Sequence, residues 1–117
     1  MKPRHICQLV LALLFAFSAS VAAVHECTME EPLASLDECI THHYEDGELA
    51  TEGIYVSLLA KAVVAQRAAA EGDDATAIRV LEAFVRQVNA LSGQLVTGSA
   101  VHLAHHAEMA IAEIEAR

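Results

Sequence analysis

The sequence predicts an all-α fold, a compact antiparallel bundle of about four helices behind a cleaved signal peptide. Three observations predict it. Apolar residues recur at spacings of three and four along most of the chain, no stretch alternates as a half-buried strand does, and no proline occurs beyond Pro32. At 117 residues the chain has room for one domain.

The first 23 residues stand apart from that fold. Met1-Lys2-Pro3-Arg4 is a short basic start, Ile6 to Phe17 is almost purely apolar, and Ser18 to Ala23 are small residues. This is the order of a secretory signal peptide, with cleavage after Ala22 or after Ala23. The apolar run falls short of the roughly 20 residues a bilayer-spanning helix needs. A cleaved signal at 1–23 is therefore favoured over an uncleaved anchor, and no membrane insertion is expected after cleavage. The destination is extracytoplasmic, secreted or periplasmic. Residues 24–34 read as a polar N-terminal arm and 35–117 as the bundle.

Loss of the signal sharpens the charge. The whole chain carries −9, but Lys2 and Arg4 leave with the signal, so five Lys and Arg face sixteen Asp and Glu, a net of −11. Such a charge repels phosphate backbones and anionic lipid, which argues against nucleic-acid partners and membrane docking. Cys7 leaves as well. Cys27 and Cys39 remain, and in an exported protein two cysteines point to one disulfide rather than two free thiols.

Four helices follow in order. Ser35-Leu36-Asp37-Glu38 has the form of a capping box, and Asp46-Gly47 ends the first helix. Thr51 can cap the second, which runs to Gly72 with Ile54, Leu58, Leu59, Ala62, Val63 and Ala69 facing inward. Asp73 or Asp74 opens the third, whose seam of Ala77, Leu81, Phe84, Val88 and Leu91 is the clearest pattern in the chain. Gly93 stops it. Thr97 or Ser99 starts the fourth, in which Ala100, Ala104, Ala107, Ile111 and Ile114 share a face. The core is expected to centre on Leu58, Leu59, Leu81, Phe84, Val88 and Ile111.

The residues that could carry chemistry are histidines. His102, His105 and His106 fall in one sector of the fourth helix, opposite its alanine face, so the pattern favours a solvated surface. The alternative is a metal site, since imidazoles at i and i+4 can share Zn, Cu or Ni. His25 is a second candidate: cleavage after Ala22 would place it third from a free amine, the arrangement that wraps Cu(II) or Ni(II) in a square plane. His43 reads as a hydrogen-bonded residue at the edge of the core and His42 as exposed. No nucleophile elbow, glycine-rich phosphate loop or C-x-x-C occurs, so no catalytic residue is assigned, no cofactor is expected and the chain is not expected to be an enzyme. Tryptophan is absent, leaving Tyr44 and Tyr55 as the aromatic faces for a sugar.

The stretch GIYVSLLAKAVVAQRAAAEGDDATAIRVLEAFVRQVNALSG resembles the FIMAH domain. The likeness rests on Gly53, Ser57-Leu58-Leu59-Ala60-Lys61, Gly72-Asp73, Ala77, Leu81, Phe84, Gln87-Val88 and Gly93, and extends weakly from Leu36 to Ile114. Val56 and Ala62 depart from the pattern, where asparagine and leucine are usual, and the two cysteines and the histidine cluster lie outside it. The resemblance implies a small extracytoplasmic helical module of the kind often appended to secreted polysaccharide-active and proteolytic enzymes, with no catalytic residues to carry over. The function expected is thus an exported, non-catalytic accessory module that binds an extracytoplasmic protein or polysaccharide. The alternative is an extracytoplasmic metal-binding protein using His25 or the His102, His105 and His106 face.

Overall fold

A computed structural model describes residues 27–91 and 93–117. The expected signal peptide at 1–23 and His25 lie outside the described residues. Among the described residues there are four helices: α1 Leu36–Glu45, α2 Glu52–Ala70, α3 Asp74–Ala90 and α4 Thr97–Glu115. Each packs on its neighbour in sequence, and α4 closes the ring onto α1, so α1 and α3 stand on opposite sides of the core. Among the described residues, no helix is long and apolar enough to cross a membrane.

Local chemistry sets the helix ends. The Thr51 hydroxyl accepts from the Ile54 amide at 3.2 Å and opens α2. The Asp73 carboxylate does the same for Thr76 at the start of α3 and is held below its usual carboxylate range, first by the Thr76 side chain and then by that amide. Each cap satisfies an amide that the first turn leaves without a helical partner. The first two helices end in matching Schellman motifs. Gly47 (φ 76°) and Gly72 (φ 82°) take the left-handed conformation, and the amides of Gly47 and Glu48 bond back to Tyr44 and His43 as those of Gly72 and Asp73 do to Ala69 and Ala68. The α3 helix ends at Ala90, short of Gly93.

Leu58, Leu81, Phe84 and Val88 are fully buried, as the seam of α3 and the face of α2 predict. The other two expected core residues are not: Leu59 and Ile111 are half-buried, and Val63 is exposed. Alanine explains this. The buried stripe of α2 is Ile54, Leu58, Ala62, Ala65 and Ala69, and that of α4 includes Leu103, Ala107, Ala110 and Ile114. Such small side chains let neighbouring helices approach closely at those positions, and Leu59, Val63 and Ile111 lie about 100° to one side of Leu58, Ala62 and Ala110, where the covering helix ends. A short antiparallel bridge between Leu49 and Leu95 clips the two longer connections together, burying both leucines and drawing Glu48 toward α4. Gln66 on α2 holds the start of α1, its amide donating to the Leu33 carbonyl and to Asp37, each at 2.9 Å.

Candidate functional site

Two faces of the bundle gather polar side chains. The first is the seam between α1 and α4. Ser35, Cys39 and His43 recur every four residues along the first helix, and Ser99, His102 and His106 at three and four along the last. Both rows are therefore single-face stripes, and the antiparallel packing zips them together: Ser35 and Cys39 meet His106, while His43 meets His102. Segment 27–35 lies over the same face, where Cys27 and Cys39 form a disulfide with Cα atoms 4.7 Å apart.

This corrects the solvated histidine surface. His106 is completely buried, His102 is partly covered, and only His105 faces water. The α4 helix is covered on two sides, by the rest of the bundle along its alanines and by α1 with segment 27–35 along its histidines. The expected capping box is also absent. The Ser35 hydroxyl donates to a carbonyl of the arm, with Thr28 and Glu31 oxygens each at 2.8 Å, and lies 3.2 Å from His106 Nε2, so it makes no cap.

Proton positions follow from which partners can only accept. His106 Nε2 lies 2.8 Å from the Pro32 carbonyl oxygen, so that nitrogen carries the hydrogen. Its Nδ1 lone pair then faces Cys39 Sγ at 3.4 Å and Cys27 Sγ at 3.8 Å. At the other end, the Schellman turn of α1 places Glu48 over His43, in the two positions where an apolar pair is usual. His43 Nδ1 donates to Glu48 Oε2 at 3.0 Å. In the neutral ring His43 Nε2 accepts from His102 Nδ1 at 2.9 Å, which leaves the His102 Nε2 lone pair turned to Cys27 Sγ at 3.9 Å. Burial, more than any neighbouring charge, holds the pKa of both His102 and His106 below the ordinary histidine value. Glu48 is held below its usual range, first by the hydroxyl of Ser99 and then by His43.

The second face is a groove of about 570 Å³ between α2 and α3. Val64, 45% exposed, and half-buried Val80 supply apolar surface, and Lys61, Arg79 and Arg86 stand around them. At its edge the Gln87 amide donates to Ser57 Oγ at 2.8 Å. The two aromatic faces expected to serve a sugar serve each other instead: Tyr44 and Tyr55 are stacked with centroids 4.2 Å apart, and Thr41 bonds the Tyr55 hydroxyl at 3.1 Å. His42 is exposed beside Asp46, as expected.

A small helical bundle with one cation-rimmed groove and one internal histidine–cysteine seam has the form of an interaction module. A scan of protein families matches the FIMAH domain over residues 33–112, and the chain belongs to that family. Searches of curated proteins and of solved structures gave no significant match. Of the residues shared with the family pattern, Leu58, Leu81, Phe84 and Val88 fill the core, Gly72 forms the turn, and Ser57 with Gln87 clasps α2 to α3.

Proposed function

We propose that this chain is an exported, non-catalytic accessory module that holds an acidic protein segment with one apolar face in the α2–α3 groove. The observation that carries the reading is the placement of Lys61, Arg79 and Arg86. They are three of the five cations beyond residue 23, gathered around one apolar depression of a chain with sixteen acidic groups. Rim charges of one sign steer an oppositely charged partner and discriminate against others, while the apolar floor supplies burial energy. The self-stacked tyrosines and the absence of tryptophan favour a protein partner over a sugar chain. The fold family supports the accessory role and the export.

Fluorescence anisotropy tests this with labelled Leu/Glu amphipathic peptides, a scrambled peptide, and polygalacturonate as competitor. Saturable binding of the amphipathic peptides is expected, weakening with salt and lost in the triple variant Lys61→Glu, Arg79→Glu, Arg86→Glu. Binding indifferent to the triple variant overturns the reading. Saturable binding of polygalacturonate alone replaces the protein partner with an anionic glycan.

A further inference from the structure

The seam between α1 and α4 carries an inference independent of the groove. We propose that the dithiol form of this chain binds a tetrahedral divalent cation of the zinc class through Cys27, Cys39, His106 and His102, and that the disulfide is the closed state of that site.

Geometry supplies the first argument. The ligand atoms of Cys27, Cys39 and His106 all lie within 4.8 Å of one another. With Zn–S at about 2.3 Å and Zn–N at about 2.05 Å, the sulfur–nitrogen edge of a tetrahedral site is about 3.6 Å. The three closest such edges here are 3.4, 3.8 and 3.9 Å. Both nitrogens are therefore already at ligand spacing from a sulfur. Two things must change: the sulfur pair opens from bonding distance to about 3.8 Å when the bond is broken, and His102, which stands outside the 4.8 Å group, swings in as the fourth ligand.

The second argument is the direction of the lone pairs. Metal-bound imidazole donates its other N–H to a carbonyl or carboxylate, which fixes the ring and the tautomer. His106 does so to Pro32, whereas His102 donates to the ring nitrogen of His43, itself oriented by the Glu48 carboxylate. Those partners turn both remaining lone pairs toward the cysteines. In the disulfide state the lone pair of fully buried His106 is aimed at sulfurs that have no hydrogen to give. A thiol proton or a cation satisfies it. Two thiolates and two neutral imidazoles around a divalent cation also make a site with no net charge, which suits a buried position. His105 is exposed and takes no part.

Opening the site is a two-electron step. A dithiol reductant attacks the Cys27–Cys39 bond, supplies two electrons and two protons by thiol–disulfide exchange, and leaves as its own disulfide. Binding then transfers both thiol protons to water as the cation enters. Oxidation of the cysteine pair by a disulfide reverses the sequence and expels the metal.

The test compares the purified protein in both redox states. One sample is reduced anaerobically and freed of reductant, the other is kept oxidised, and each is titrated with Zn2+ against a chromophoric chelator and with Co2+ by absorption. The reduced protein is expected to bind one ion at least about 100-fold more tightly than the oxidised protein. Its Co2+ form should show tetrahedral d–d bands with a thiolate charge-transfer band. His106→Ala is expected to weaken binding about 100-fold and His102→Ala about tenfold, while His105→Ala leaves it unchanged. Circular dichroism of the reduced protein accompanies the titration. If reduction loosens the fold, recovery of helix on adding Zn2+ supports the site. Equal affinity in the two redox states, an octahedral Co2+ spectrum, affinity indifferent to His106→Ala, or a reduced chain that neither binds nor refolds would each overturn the proposal.

Discussion

Removing the disulfide is the perturbation whose cost the structure fixes best. Cys27 and Cys39 are 12 residues apart, and closing a loop of that size withdraws about 2.9 kcal/mol of chain entropy from the unfolded state. In Cys27→Ser with Cys39→Ser that contribution disappears. The cysteine at 39 is fully buried against His106, and a serine hydroxyl there can donate to the waiting Nδ1, returning about 1 kcal/mol. The net loss is about 2 kcal/mol, which for a domain of this length lowers Tm by roughly 8–16 °C. The caps at Thr51 and Asp73 and the packing of α2 on α3 do not involve the cysteines, and a serine at 39 keeps a partner in the α1–α4 seam, so the far-ultraviolet circular dichroism at low temperature should stay nearly the same. Thermal unfolding of the metal-free oxidised protein and of the double variant, followed by circular dichroism, measures both quantities. A Tm within about 2 °C of the parent, or a large loss of helix before heating, refutes this account.

Two further outcomes follow from the same geometry. Glu48 titrates below its ordinary value in the folded chain, so the stability it contributes is complete above about pH 4.5 and is lost as pH falls through the folded pKa. Glu48→Gln should flatten that acid limb in urea unfolding measured between pH 3 and 6, and an unaltered limb would assign the loss to other carboxylates. A double-mutant cycle on Ser57→Ala and Gln87→Ala should give a coupling of about 1 kcal/mol by urea unfolding, and strict additivity would mean that the clasp contributes nothing.

Much of the bundle was legible because its signals are local. The caps at Thr51 and Asp73, the glycines at 47 and 72, and the seam from Ala77 to Val88 each follow from residues close in sequence, and each stands in the structure. The histidine seam was not, because it needs two stripes to be seen together. Taken alone, Ser99, His102 and His106 are a polar face opposite an alanine face, and a polar face on one helix is ordinarily wet. Only the matching row of Ser35, Cys39 and His43 shows that this face has a partner. The half-burial of Leu59 and Ile111 was hidden for a related reason: where alanine predominates, the width of the covered stripe depends on how closely the neighbouring helix approaches.

The seam joins the two ends of the described chain, with Ser35 and His106 separated by 71 positions while Cys27 and Cys39 are separated by 12. Synthesis runs in one direction. Both sulfurs have therefore left the ribosome before the imidazole that faces them, and until the last helix follows they stand without its cover. For the dithiol site proposed above, the redox conditions met in that interval would set its first state, ahead of any later exchange. Docking of the final helix then buries Cys39 against His106 and leaves Cys27 partly exposed, so any later exchange would reach the pair through Cys27.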